Sequence, residues 1–301
     1  MSDKKMIVWI SLKEGIRNVW EHKVLALLLF LFKLFFAFLF LIPAYYMFSR
    51  TFSFSPLAVN FLKGYDFYLL VDFLSGWDEG LGIYKGYFLI VGFGLLLFYI
   101  FFSGGLWGAL YQSSKQEGYR LSGEKFFTDC GRYYVSFLKI FIFIFIVYIL
   151  ILIFALFIFS SIRALTGKEL SYTAHVLIFF LEILVMAILF MWMDMWSYYM
   201  RAKRVLFEEK KLITLLRSSL GFIFKNFGKT ILLYYILSLT LLGTLAVYGG
   251  LNKLLHLLPA GKLQVLSLFI LYQSYSFFRS FYKLGYYSSH MVLLDKLYDF
   301  K

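Results

Sequence analysis

Along this chain, long apolar stretches alternate with short polar segments that are rich in lysine and arginine. A helix needs roughly 20 apolar residues to cross the hydrocarbon core of a bilayer. The pattern therefore predicts an all-α integral membrane protein, a bundle of six transmembrane helices in a single polytopic domain covering residues 1–301. The six predicted spans are about 24–48, 87–110, 135–162, 174–200, 230–250 and 263–286.

The first and the last of these spans differ from the other four. The first is about twice as long as the apolar region of a signal peptide, so we expect it to be retained as a span. The sixth is the most polar, and a polar span is expected to face other helices rather than lipid. Its polar side chains are Gln264, Gln273, Ser274, Ser276 and Arg279.

The basic residues between the spans predict the orientation. Of the lysines and arginines considered, 21 lie on the side of the N-terminus and 7 lie on the other side. Short cytoplasmic loops carry an excess of lysine and arginine, so both termini are predicted to be cytoplasmic. The longest outer loop is then 49–86, in which 56–74 predicts one or two short interfacial helices. A seventh crossing is the alternative, but Lys63, Asp66 and Asp72 make it costly.

An amphipathic helix on the predicted cytoplasmic side precedes a span at three places, near residues 9–20, 125–134 and 211–227. Apolar residues recur there at spacings of three and four, which is helical. A shared Gly-x7-Lys spacing, as in Gly15 and Lys23, suggests a triple repeat; chance placement of lysine is the alternative. An apolar stripe beside a basic face is typical of a helix at a membrane interface. The basic residues predicted to face lipid are Lys13, Arg17, Lys125, Arg132, Lys210, Lys211, Arg217 and Lys225.

Composition supports a lipid-solvated chain, with 61% hydrophobic and 16% charged residues. The net charge of +13 lies mainly in the connectors, whereas the aromatic residues lie in the apolar runs. This separation argues against nucleic-acid binding and favours anionic lipids of the cytoplasmic leaflet as partners. A membrane protein partner is the other possibility.

Charged residues inside the spans are candidate functional residues. Lys33 lies about 15 Å beyond Lys23 at 1.5 Å per residue, and Glu182 is near the same depth. Asp194 and Arg279 both fall in the cytoplasmic third of their spans. We expect Lys33 to pair with Glu182 and Asp194 to pair with Arg279, holding helices in register. The alternative is a polar pathway for a solute, a proton or a lipid headgroup.

A face of small residues formed by Gly104, Gly105 and Gly108 predicts a close helix contact, either within the chain or between two copies. Enzymatic chemistry has little support. Cys130 is the only cysteine, no histidine pair has the spacing of a metal site, and no catalytic motif is present. We therefore expect no cofactor, no metal and no enzymatic activity. Acidic residues in the outer loop leave open whether that loop is catalytic or structural.

The runs 103–140 and 198–233 each join the end of one span, a polar connector, an amphipathic helix and a new span. This layout resembles uncharacterised prokaryotic six-helix membrane proteins similar to the membrane-anchoring domain beside some glycerophosphodiester phosphodiesterases. The resemblance implies the fold. The 301 residues contain no soluble phosphodiesterase domain, so the activity does not carry over.

Three functions remain after these exclusions. The sequence favours a non-enzymatic protein that interacts with lipid or assists membrane assembly. A small-solute or lipid transporter that uses the charges within the spans is the alternative. An intramembrane lipid-modifying enzyme ranks last, because no converging His/Asp or Ser/His set is seen. The absence of targeting peptides and of N-x-S/T sequons predicts a bacterial inner membrane.

Overall fold

A computed structural model describes residues 3–52, 82–116, 119–166, 172–259 and 261–299. All regular secondary structure in this part of the chain is α-helical. The helices are α1 (Asp3–Glu21), α2 (Lys23–Phe52), α3 (Gly82–Lys115), α4 (Gly123–Thr166), α5 (Tyr172–Leu206), α6 (Leu212–Lys225), α7 (Phe227–His256) and α8 (Lys262–Asp299).

Within the residues that the structure describes, five helices are long and apolar enough to cross a bilayer, which makes this a multi-pass membrane protein. These spans are Lys23–Pro43, Gly86–Lys115, Gly123–Ser161, Val176–Leu206 and Phe227–His256. The sixth predicted span falls in α8, whose glutamines, serines and Arg279 dilute its apolar residues. The sixth crossing and the orientation stay predictions.

Helix α2 continues to Phe52 and α3 begins at Gly82, so both helices extend into the range 49–86 predicted as the outer loop. The interfacial helices predicted for 56–74, and the acidic residues of that loop, lie outside the described residues.

The chain divides into two compact units. The small unit, Leu27–Tyr99, holds α2 from Leu27 onward and the first half of α3. Its described contacts are largely aromatic: Phe32 stacks on Phe98 with ring centroids 5.5 Å apart, and Phe40 stacks on Phe88 at 5.7 Å. The large unit contains Met1–Ala26 and Ile100–Lys301.

Helix α8 is central to the large unit, where it packs against α1, α5 and α7. Its approach to α1 is very close at Gly15. A Cβ atom on Gly15 would lie 2.6 Å from the backbone of Ser289, a distance that real Cβ atoms essentially never show. Glycine is therefore required here so that the two helix backbones can touch.

The predicted small-residue face forms a second close contact, in which α3 packs on α4 of the same chain. Cβ atoms added to Gly105 and Gly108 would each lie 2.5 Å from a side-chain atom, of Cys130 and Asp129 respectively. Gln112, one turn beyond Gly108, donates a hydrogen bond of 2.8 Å to Asp129. Asp129 is buried at this contact. The glycines thus admit a polar side chain between two helices.

Two of the three predicted amphipathic helices are separate from the span that follows. A break at His22 separates α1 from α2, and a break at Asn226 separates α6 from α7. The amphipathic segment before the third span differs, because it forms the first turns of the continuous helix α4.

The burial pattern gives these segments a common register. Ser11, Gly15, Asn18 and Val19 are buried in α1. The four residues of α6 that lie 204 positions later in the chain are buried as well. In α4, the residues that lie 115 positions after Ser11, Gly15 and Asn18 are also buried. In this register Gly15 corresponds to Ser219 and Cys130, so the Gly-x7-Lys spacing does not mark the repeat. These later buried residues are Leu215, Ser219, Phe222, Ile223, Phe126, Cys130 and Tyr133.

Candidate functional site

The segments predicted to be cytoplasmic contact one another at one end of the large unit, here called the polar end. Lys115, at the end of α3, pairs with Asp295 of α8 at 2.7 Å. Lys296 pairs with Glu14 of α1 at 2.9 Å. Arg132 of α4 pairs with Glu208, which follows α5. The polar end therefore joins α1, the ends of α3, α5 and α8, and the start of α4.

Helices α1 and α6 each have three faces at the polar end. One face is buried in the bundle, as described above. A second is apolar and exposed, with Trp9 and Trp20 at 58% and 70% exposure and Ile213 and Phe224 at 79% and 62%. A third is basic. The predicted apolar stripe is thus divided, because residues such as Val19 and Ile223 are buried against other helices.

All eight basic residues predicted to face lipid are exposed. Arg17 lies 3.7 Å from Glu21 on the same helix, and Arg132 pairs with Glu208. The remaining predicted residues are Lys13, Lys125, Lys210, Lys211, Arg217 and Lys225.

Two basic residues that the sequence does not single out are buried. The Lys203 ammonium donates to the Ser218 carbonyl oxygen at 2.8 Å and to the Tyr298 hydroxyl at 2.6 Å. It also lies 5.8 Å from the ring of Phe222. Arg204 donates to the Ser136 hydroxyl at 2.8 Å. Both lie in the last turn of α5, where the helix dipole favours cations.

Asp194 has a different partner from the one predicted. It does not pair with Arg279; instead the Tyr234 hydroxyl donates to its Oδ2 at 3.1 Å. Arg201 and Lys283 are the cations whose charges act on it. The reason is packing, since α8 packs on both α5 and α7 and brings them near enough for Tyr234 to reach Asp194. Three more tyrosines interact with this carboxylate, namely Tyr148, Tyr198 and Tyr286.

The predicted pairing of Lys33 with Glu182 stays a prediction, because Lys33 belongs to the small unit and Glu182 belongs to the large one. The Oε1 atom of Glu182 is buried and has no hydrogen-bond partner within the described part of the chain.

His290 lies beyond the predicted sixth span and is fully buried among tyrosines. Its ring stacks on Tyr198 at 5.5 Å, and its Nδ1 lies 3.0 Å from the Tyr199 hydroxyl. Burial lowers the pKa of His290 to about 3. The imidazole is therefore neutral at physiological pH, and it acts as a packing residue.

A polar cleft of about 720 Å³ opens at the polar end, between α1, the end of α3 and the end of α8. No group of three or more residues that could hold a metal ion occurs among the described residues. Comparisons with protein families, with curated proteins and with solved structures find no match to this chain. The resemblance to a phosphodiesterase anchoring domain therefore stays a prediction.

Proposed function

We propose that this protein is a non-enzymatic membrane protein that binds anionic lipid headgroups through α1, α6 and the first turns of α4. The observation that supports this is the shared arrangement of α1 and α6. Each uses one face for packing and leaves an apolar face and a basic face exposed side by side. A helix of this kind inserts its apolar face at the acyl boundary and holds its cations among the headgroups.

The test is mass spectrometry of the lipids retained after extraction into native nanodiscs. Each basic residue near an anionic surface contributes about 1 kcal/mol, so replacing Lys210, Lys211, Arg217 and Lys225 with alanine should reduce retained anionic lipid at least tenfold. The matched control replaces Lys253 and Lys262, exposed lysines on the opposite predicted side. Equal retention by the fourfold variant and the wild type would contradict the proposal. A protein retained in stoichiometric amount would favour a role in membrane assembly.

The proposed topology has six crossings with both termini in the cytoplasm of a bacterial cell, in its inner membrane. Cys130 is the chain's one cysteine and is buried, so introduced cysteines can report accessibility. Arg217→Cys and Lys253→Cys should react from opposite sides of sealed vesicles. Labelling of both from one side would contradict this topology.

A transporter is the second candidate, favoured by the carboxylates of Asp194 and Glu182 within α5. Ionisable residues within spans commonly mark solute or proton pathways. Proton flux in proteoliposomes that falls in both Asp194→Asn and Glu182→Gln, at equal protein insertion, would support this function. Absence of flux in the wild type would leave the tyrosine contacts of Asp194 as structural links.

A further inference from the structure

The cleft at the polar end has walls from three helices that are distant in sequence. Residues of α1, the end of α3 and the last turns of α8 line it, together with Leu206. Its volume of about 720 Å³ lies within the range typical of small-molecule sites. Unlike the exposed faces of α1 and α6, it is concave and mostly polar.

Charges of both signs alternate on the walls of the cleft. Lys115 faces Asp295 across the contact of α3 with α8, and Lys296 faces Glu14 across the contact of α8 with α1. The third pair, Arg17 with Glu21, lies along α1. Three cations and three carboxylates therefore line one site with no net formal charge, apart from His22.

Each charged side chain in these ion pairs can exchange its partner for a charged group of a ligand. Side chains of the two pairs between helices are between 30% and 44% exposed, and those of Arg17 and Glu21 are 69% and 59% exposed. Exposed ion pairs contribute little to stability, so a ligand that supplies both charges can replace them at small cost. A simple anion or a simple cation would leave one set of wall charges without a partner.

The floor of the cleft is fixed. Asn18 is nearly buried, and its amide donates to the Leu110 carbonyl oxygen at 3.2 Å and to the Ser288 hydroxyl at 3.1 Å. Its carbonyl oxygen accepts from Ser113 at 2.7 Å. These bonds hold α1, α3 and α8 together below the charged walls, so the cleft is formed before any ligand enters.

We propose that this cleft binds a small zwitterion that carries an ammonium group and a phosphate or carboxylate group. Lys115, Lys296 and Arg17 bind the anionic group, and Glu14, Glu21 and Asp295 bind the ammonium group. A free metabolite and the headgroup of a zwitterionic phospholipid share this chemistry. The site shares Arg17 with the basic face of α1 proposed above, and its other charged residues lie outside the lipid-binding faces.

Calorimetry with the full chain in phosphatidylglycerol nanodiscs tests the proposal. Phosphoethanolamine should bind saturably, and inorganic phosphate and ethanolamine should each bind at least tenfold more weakly. Lys115→Gln and Asp295→Asn should each weaken phosphoethanolamine binding about tenfold, whereas Lys210→Gln, outside the cleft, should not. Tighter binding of short-chain phosphatidylethanolamine than of phosphoethanolamine identifies a lipid headgroup as the source; equal binding identifies a free metabolite.

The reversed pair Lys115→Asp with Asp295→Lys separates loss of binding from loss of folding. It keeps an ion pair between α3 and α8 and keeps both signs on the walls, so binding should return to within a few fold of wild type. Absence of saturable phosphoethanolamine binding to the wild type would overturn the proposal. Phosphate binding as tight as phosphoethanolamine binding would overturn it too, because the site would then recognise an anion alone.

Discussion

His22 and Asn226 make the same hydrogen bonds at equivalent breaks, which separate α1 from α2 and α6 from α7. The backbone N–H of each donates to the carbonyl oxygen four residues earlier, at 3.2 Å for His22 and 3.0 Å for Asn226. The side chain of each also lies against that oxygen, at 2.9 Å and 3.2 Å. The carbonyl oxygen of each accepts at 2.9 Å from the N–H three residues later. Because these residues are 204 positions apart, the breaks share the register of the buried faces.

This equivalence predicts that the two break residues are interchangeable. Asn226→His should leave stability nearly unchanged, because the imidazole of His22 already makes the same contact with a carbonyl oxygen. Asn226→Ala should lower stability by about 0.5–1.5 kcal/mol through loss of that hydrogen bond. Thermal unfolding in detergent, followed by tryptophan fluorescence, measures both. An equal loss in both variants would indicate that the break depends on the amide itself and not on the shared geometry.

The three glycines of the Gly-x7-Lys spacing, Gly15, Gly131 and Gly221, allow a matched comparison of close packing. Gly15→Ala forces a Cβ against the backbone of Ser289, and overpacking of this kind costs about 1–3 kcal/mol. Gly131→Ala and Gly221→Ala add a Cβ with nothing within 4 Å. Removing glycine from a helix interior then stabilises by roughly 0.5–1 kcal/mol. Unfolding midpoints should therefore fall for Gly15→Ala and rise slightly for the other two. Equal behaviour of all three would contradict the close α1–α8 contact.

The sequence predicts five of the spans because each is a long run of apolar residues. No single residue decides whether such a run can cross a membrane. The sequence predicts exposed basic residues for the same reason, since Lys13 and Lys225 lie in plainly polar segments. It does not show which apolar residues of an amphipathic stripe pack inside the bundle. Trp20 and Val19 are neighbours in the chain and both are apolar, yet one is exposed and the other buried, because only the partner helix distinguishes them.

The partner of a buried polar residue is equally hidden in the sequence. Asp194 contacts Tyr234, 40 positions away, because α8 packs on both α5 and α7, and nothing local marks that tyrosine. Lys203 looks like any lysine of a basic connector, and it is buried because α6 and α8 close over the end of α5. Such contacts depend on tertiary packing, and periodicity records only the face on which a residue lies.

Because Lys203 is buried, replacing it should lower stability far more than replacing Lys210, an exposed lysine nearby. Lys203→Met fills a similar volume but loses the two hydrogen bonds that the ammonium donates to the Ser218 carbonyl oxygen and the Tyr298 hydroxyl. Hydrogen bonds from a charged group contribute about 1.5–3 kcal/mol, so the unfolding midpoint should fall. Lys210→Met changes an exposed side chain and should stay within about 0.5 kcal/mol of wild type. If Lys203→Met matched or exceeded the stability of the wild type, the ammonium would not be the link between α5, α6 and α8.

His290 predicts how stability depends on pH. Its pKa is about 3 in the folded chain and near 6.5 in an unfolded one, because burial disfavours the charged imidazolium. The unfolded state therefore binds the extra proton between these values, and stability falls as the pH is lowered from about 6.5 toward 3. The loss from this residue reaches about 1.4 kcal/mol for each pH unit within that window.

Two histidine variants isolate that contribution. His290→Phe keeps an aromatic ring among the tyrosines and removes the proton site, so unfolding of this variant should show a shallower pH dependence between pH 6 and 4. His256→Gln removes an exposed histidine and should keep the wild-type slope. Denaturant unfolding at half-unit pH steps gives both slopes. Identical slopes for His290→Phe and wild type would mean that the imidazole gains its proton as readily when folded as when unfolded, which its enclosure by Tyr198 and Tyr199 opposes.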